Sequence, residues 1–327
     1  MTPPTLAEIA AARDRLGAHI ARTPVFNWSG PTVRRLFGAD TELWLKLEFL
    51  QVTGSFKARA ALNVALTLPE SERKRGFVTF SSGNHAAAVA YAAAVAGTSA
   101  TVVMARSANP ARVANCRRFG AHVIPATDHH EALQTVERIA ASEGRVFIHP
   151  YEGPGTTCGN ATLAIELLEQ VPRLDAVIVA IGGGGLCSGI GVALEQTCPD
   201  CELLAVEPTG ADTMYRSFAS GRPERLDEVR TIADSLAPPQ TLPYSMDLCR
   251  RTVDRLELVS DEQIVAAMAL LFTELRLVIE PGGAAAVAGA LYAFRDRIRG
   301  KRVAVIVCGS NIDLPGFHRH IADVQPP

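Results

Sequence analysis

From Gly76 onward the chain alternates short apolar runs with helix-length segments, and this pattern restricts its possible folds more than any other feature. Residues 76–80 read as a strand, 84–96 as a helix and 100–104 as a strand again. Asn109 and Pro110 then supply an N-cap and a first-turn proline for a helix ending near Gly120. Residues 122–125 form the next strand, 129–142 a helix closed by Gly144, and 145–149 a strand. A second series has a helix at 160–170, a buried strand at 175–181, a helix at 186–196 behind four glycines, and strands at 202–206 and 302–307. The alanine-rich stretch 264–294 is interrupted by Pro281 and two glycines, so it holds at least two helices. Such alternation builds mostly parallel sheets with right-handed crossovers and helices on both faces, an α/β class.

The 327 residues suffice for one or two domains with a large core. A net charge of −2, with no basic run interleaved with aromatics, argues against nucleic acid or an anionic membrane as partner. The start lacks the basic flank and apolar core of a signal peptide, so a cytoplasmic protein is expected. The most apolar stretch, 86–105, is broken by Gly97, Thr98 and Ser99 and reads as a buried helix followed by a strand, not a membrane span. Seven scattered cysteines do not make a disulfide framework. Cys198 and Cys201 have the CxxC spacing of redox and zinc sites, but no second pair of cysteines or histidines completes a metal site.

Four segments carry chemistry. Lys57 follows directly on a turn made by Thr53, Gly54, Ser55 and Phe56, and Arg59 is close behind. A lysine at a desolvated helix start beside another cation has its neutral, nucleophilic form favoured. Alone, it would read as a surface lysine after a turn. Residues 81–85 (Ser81, Ser82, Gly83, Asn84, His85) leave a strand and open a helix, whose free N–H groups and dipole suit a carboxylate. Ser81 or Ser82 could equally be a plain N-cap. Gly182, Gly183, Gly184 and Gly185, before Leu186, let the backbone close round a phosphate at a helix start. They do not form the GxGxxG dinucleotide fingerprint. Cys308 ends the last strand.

Together these segments resemble the pyridoxal-phosphate enzymes built like the tryptophan synthase β subunit (fold type II), in particular their serine/threonine dehydratase and serine racemase branch. The likeness covers nearly the whole chain. Lys57-Ala58-Arg59 stands where cysteine and threonine synthases usually have Lys-Asp-Arg, which favours the dehydratase side. The resemblance implies a large domain of residues 1–69 and 151–327 and a small one of 70–150 inserted in it, with pyridoxal 5'-phosphate in the cleft between them. It implies that Lys57 carries the cofactor as a Schiff base, that Phe56, Asn84 and Leu186 contact it, and that glycines 182–185 hold its phosphate. Residues 81–85 would hold the substrate carboxylate, and Asn84 the cofactor's O3′. A homodimer acting on a small amino acid is also implied.

Several positions depart from the family's pattern. Cys308 replaces the serine that usually faces the pyridine nitrogen; a thiol is a weak donor, so the nitrogen should stay largely unprotonated, which suits β-elimination. Glu207 and Ala211 match the racemases' cation site, but Thr213 stands where its second carboxylate is expected, and hard cations want charged oxygens. The need for a divalent or monovalent cation is therefore left open. Ser82 matches the racemases' acid–base serine, whereas many threonine dehydratases have alanine there. Residues 158–162 and 233–235 also differ from the family's, and both lie near the substrate in it.

The expected activity is β-elimination of a 3-hydroxy amino acid of the L-threonine or L-serine type, giving a 2-oxo acid and ammonia. Alternatives are a bulkier 3-hydroxy amino acid (phenylserine, hydroxyaspartate or a hydroxyectoine-derived acid) and serine racemisation. A non-catalytic binding protein fits least, because lysine, phosphate loop and asparagine are all present. The end at Pro327 leaves no room for a C-terminal regulatory domain, so isoleucine inhibition is not expected.

Overall fold

The computed structural model describes residues 1–327, the side chain of His129 excepted. Its strands are β1 (Val25–Trp28), β2 (Glu42–Lys46), β3 (Phe77–Phe80), β4 (Ala100–Ala105), β5 (His122–Ala126), β6 (Val146–Phe147), β7 (Ala176–Ala180), β8 (Glu202–Pro208), β9 (Arg255–Val259) and β10 (Arg302–Ile306). They form a six-stranded sheet in the order β1-β2-β10-β7-β8-β9 and a four-stranded sheet in the order β5-β4-β3-β6. Only β1 runs antiparallel to its neighbour; the other pairs are parallel. The fold is α/β, as the alternation requires.

Both sheets are covered on both faces. Val303 and Val305 of β10 enter one core of the larger sheet, and Ala304 and Ile306 the other, following the two-residue period of a strand. In the smaller sheet Phe77 and Val102 face one core, Val78 and Val103 the other. Parallel strands buried on both sides read as near-continuous apolar runs, which is why they were legible. The helix Lys57–Thr67 packs on both Asn84–Val95 and Pro154–Gln170, and so joins the two sheets' helical layers. Among the described residues no helix is long and apolar enough to cross a membrane.

Local signals hold where backbone demands are local. Asn109 Oδ1 accepts the Ala111 N–H at 2.8 Å and Pro110 opens the helix Pro110–Arg118. Gly144 closes His129–Glu143 at φ +67°. Three expectations need correction. The strand expected at 145–149 spans only Val146–Phe147, and its ladder ends with the Ile148 N–H on the Val78 carbonyl at 3.1 Å, because Pro150 cannot donate and His149 turns its ring back onto the following backbone. The helix expected from 160 begins at Pro154, and its glycines are there for packing: a Cβ on Gly159 would lie 2.7 Å from the Arg59 carbonyl oxygen. Neither serine of 81–82 is the N-cap of Asn84–Val95. Gly83 is, without a side-chain cap.

Candidate active site

β3, β7 and β10 deliver residues 81–85, the four glycines and Cys308 from their carboxyl ends, where open parallel sheets bind ligands. Lys57 is the first residue of its helix, placed there by pairing with the end of β10: Phe56 N–H donates to the Cys308 carbonyl at 3.1 Å and Ser310 N–H to that of Gly54 at 3.0 Å. Gly54 has φ +77°, and a Cβ on it would meet Asn311 Oδ1 at 2.5 Å, so the turn requires glycine. Lys57 Nζ donates to the Pro150 carbonyl at 2.5 Å. Desolvation lowers its pKa to about 8.

Arg59 has no part in that shift, contrary to the sequence-based expectation. It is buried in a separate network, donating to Glu48 at 2.8 and 2.9 Å and to Glu166 at 2.9 Å, while Glu166 also takes Lys46 Nζ at 2.5 Å. Its charge is spent on two carboxylates. Burial by itself accounts for the lowered amine.

Glycines 182–185 form a cradle with no room for side chains. A Cβ on Gly183 would lie 2.1 Å from the Tyr151 ring, one on Gly185 2.6 Å from the Tyr151 carbonyl oxygen, and Gly184 has φ +92°. The helix Gly185–Thr197 starts here, so its first N–H groups have no intrahelical partner. Asn160 supports the loop from behind through Nδ2 and the Gly185 carbonyl at 2.8 Å, leaving its buried Oδ1 without a partner among the described residues. Cys158 faces away, onto the Glu8 carbonyl at 3.3 Å. None of residues 158–162 lines the cavity beside Lys57, whereas Asp234 and Ser235 do. Phe56, Leu186 and Cys308 close the hollow behind Lys57. The Cys308 thiol donates to the Gly282 carbonyl at 3.5 Å, and burial pushes its pKa up to about 12.

The 81–85 loop opens into a neighbouring cavity of about 370 Å³ that shares Lys57, Asn84, Tyr151, Gly183 and Ser235 with that hollow. Ser82 Oγ accepts the Ala105 N–H at 2.9 Å, and Ser81 Oγ that of Gly83 at 3.1 Å. His85 turns one nitrogen, Nε2, to the Ile148 carbonyl at 2.9 Å; burial pushes its pKa down to about 3. Asn84 Nδ2 donates to Glu280 Oε1 at 2.5 Å, and its Oδ1 accepts from Asn311 at 2.6 Å. Glu280 was not singled out by sequence. It is buried, its pKa is raised by that burial, and it also takes the Asn311 N–H at 3.1 Å. A lone acidic residue before a glycine-rich apolar helix was the available signal.

The outer wall of the cavity is apolar: Phe80, Leu133, Phe147, Pro238 and Pro239. Phe80 and Phe147 stack at 5.8 Å, and Phe147, His149 and Tyr151 follow edge to face at 5.6 and 4.6 Å. Arg112 and Asp234, which also line the cavity, are paired with each other, NH2 to Oδ1 at 3.1 Å.

Glu207 lies apart. Its carboxyl caps the helix Thr213–Ser220, accepting the N–H groups of Met214 at 2.9 Å and Tyr215 at 2.8 Å, and burial raises its pKa to about 8. Ala211 is buried close by. Among the described residues no three His, Cys, Asp or Glu side chains gather to hold a metal.

Residues 16–309 match the family of pyridoxal-phosphate dependent enzymes. The chain belongs to that family. It is 47% identical over 322 residues to a phenylserine dehydratase of Ralstonia pickettii, covering 98% of this chain and 97% of that one. It is 38% identical to a β-hydroxyaspartate dehydratase of Paracoccus denitrificans, covering 95% and 97% of the two. Maize serine racemase has the same fold with a TM-score of 0.92, at 35% identity and 97% coverage of each chain. The architecture is that of fold type II. The residues present fit the family's cofactor: a lysine with a lowered pKa, a glycine cradle that excludes side chains at a helix start, and a neutral thiol lining the same hollow.

Proposed function

We propose that the protein is a dehydratase that eliminates water from 3-hydroxy amino acids whose side chain is apolar and preferably aromatic. The observation that carries this reading is the position of Lys57, at the junction of the glycine cradle and a cavity walled by Phe80, Leu133 and Phe147. Serine and threonine, the substrates first expected, would leave that wall unfilled. Hydroxyaspartate would find no unpaired cation, since Arg112 is engaged by Asp234.

When bound, the cofactor supplies a conjugated electron sink that acidifies the substrate's Cα–H. Glycines 182–185 and the start of their helix would hold its phosphate. The N–H groups of Asn84 and His85 at the helix start would orient the substrate carboxylate. Lys57 Nζ, neutral, takes the Cα proton. The Cβ–O bond then breaks, its electron pair goes to oxygen, and the proton gained by Lys57 completes a water molecule. The released enamine takes up water and yields the 2-oxo acid and ammonia. Cys308, a poor donor, would leave the ring nitrogen unprotonated.

A panel of phenylserine, threonine, serine and 3-hydroxyaspartate, read by 2-oxo acid formation, tests the reading. Phenylserine should have the highest kcat/KM, and a preference for hydroxyaspartate would overturn the apolar side chain. Racemisation is a second reading, favoured by Ser82, which lines the same cavity as Lys57. Chiral analysis of residual serine decides it. The family resemblance further supports a homodimer and a small domain of residues 70–150, testable by light scattering and limited proteolysis.

A further inference from the structure

We propose that His149 determines specificity for the 3-hydroxyl group: its Nε2–H holds that oxygen and stabilises it as it leaves. The inference rests on the dehydratase reading above. His149 Nδ1 accepts two backbone N–H groups, from Tyr151 at 3.2 Å and Glu152 at 3.0 Å. A nitrogen that accepts cannot carry the proton, so the neutral ring carries it on Nε2. Burial, and then the charge of Lys57, push the pKa of His149 down to about 4, so the ring is an uncharged donor and not a proton store.

The ring is clamped edge to face between Phe147 and Tyr151. The next residue, Pro150, accepts from Lys57 Nζ, so the donor directly precedes the residue that holds the base. Three other donors on this side are committed. Tyr151 OH donates to the Gln240 carbonyl at 3.0 Å, His85 Nε2 to the Ile148 carbonyl, and Arg112 to Asp234. Among apolar neighbours a hydroxyl without a partner would be costly to bury. As the Cβ–O bond breaks, charge builds on the oxygen and the Nε2–H bond strengthens; His149 keeps its proton, and Lys57 supplies the one that completes water.

The test compares hydroxide with a leaving group that needs no donor, using holoenzyme, a 3-hydroxy amino acid and 3-chloroalanine. His149→Asn keeps an acceptor near the Nδ1 position and removes the donor at the Nε2 position; His149→Gln keeps a donor near Nε2. His149→Asn should lose about 10- to 100-fold in kcat/KM on the hydroxy substrate, the size of one hydrogen bond to a developing charge, and stay within about threefold on 3-chloroalanine. His149→Gln should recover most of the loss, and the cofactor's visible band should be unchanged in both. An equal loss on both substrates, or no loss on the hydroxy substrate, overturns the role of His149 alone. A wild-type enzyme with a normal visible band that eliminates neither group overturns the dehydratase reading, and this inference with it.

Discussion

Lys57 Nζ lies 2.5 Å from the carbonyl oxygen of Pro150, a residue 93 positions further along the chain. This contact seats the amine at the shared edge of the glycine-lined hollow and the apolar cavity. The amine thus leaves bulk water without gaining a carboxylate partner, and its pKa falls to about 8.

A pH profile follows from that value. The neutral amine attacks an aldehyde, and an amine is neutral above its pKa. Uptake of pyridoxal phosphate by the apo-protein, followed by visible absorbance, should therefore accelerate about tenfold per pH unit below 8 and level off above it. Lys57→Ala should show no borohydride-trapped adduct and should form 2-oxo acid about 10^4-fold more slowly or worse. Ammonia release surviving in that variant would remove Lys57 from the chemistry.

The cradle is expected to be intolerant of a single methyl group. Gly183→Ala would place a carbon 2.1–2.4 Å from three atoms of the Tyr151 ring, so ring or loop must move. Cofactor affinity, titrated by the visible band, should fall by about 100-fold, or about 2.7 kcal/mol. Affinity within threefold of wild type would place the phosphate elsewhere.

The aromatic wall should show itself as selectivity. Phe147→Ala removes a ring stacked on Phe80 and edge-on to His149. We expect kcat/KM for phenylserine to drop about 10-fold, or 1–2 kcal/mol, with that for serine nearly unchanged. A parallel drop for both would mean that Phe147 only supports the fold.

Glu207 is expected to serve the fold and not a cation. Its pKa is raised by burial to about 8, so its neutral form supports the native state. That support is complete below the ordinary carboxyl range and is lost as the pH rises through about 8. Glu207→Gln should cost less than about 1 kcal/mol near pH 7 and gain on wild type above pH 8. Glu207→Ala, which strips the caps from Met214 and Tyr215, should cost about 1–3 kcal/mol in urea unfolding. Turnover should survive EDTA; loss of activity restored by magnesium would return Glu207 and Ala211 to a cation site.

Much of this molecule can be read from short stretches of sequence. Apolar runs, N-caps such as Asn109, and glycines at positive φ such as Gly54 and Gly184 state backbone requirements that a few neighbouring residues satisfy by themselves. The class of fold, the lysine turn and the glycine loop belong to that layer. The surroundings of each side chain do not. Arg59, two positions from Lys57, is drawn to Glu48 and Glu166 and leaves the amine to desolvation. Glu280 reaches Asn84 across 196 positions, and the proton on His149 is set by the two N–H groups its ring accepts. Tertiary packing decided these, because partner choice, burial and tautomer depend on distances in space that spacing along a chain does not record.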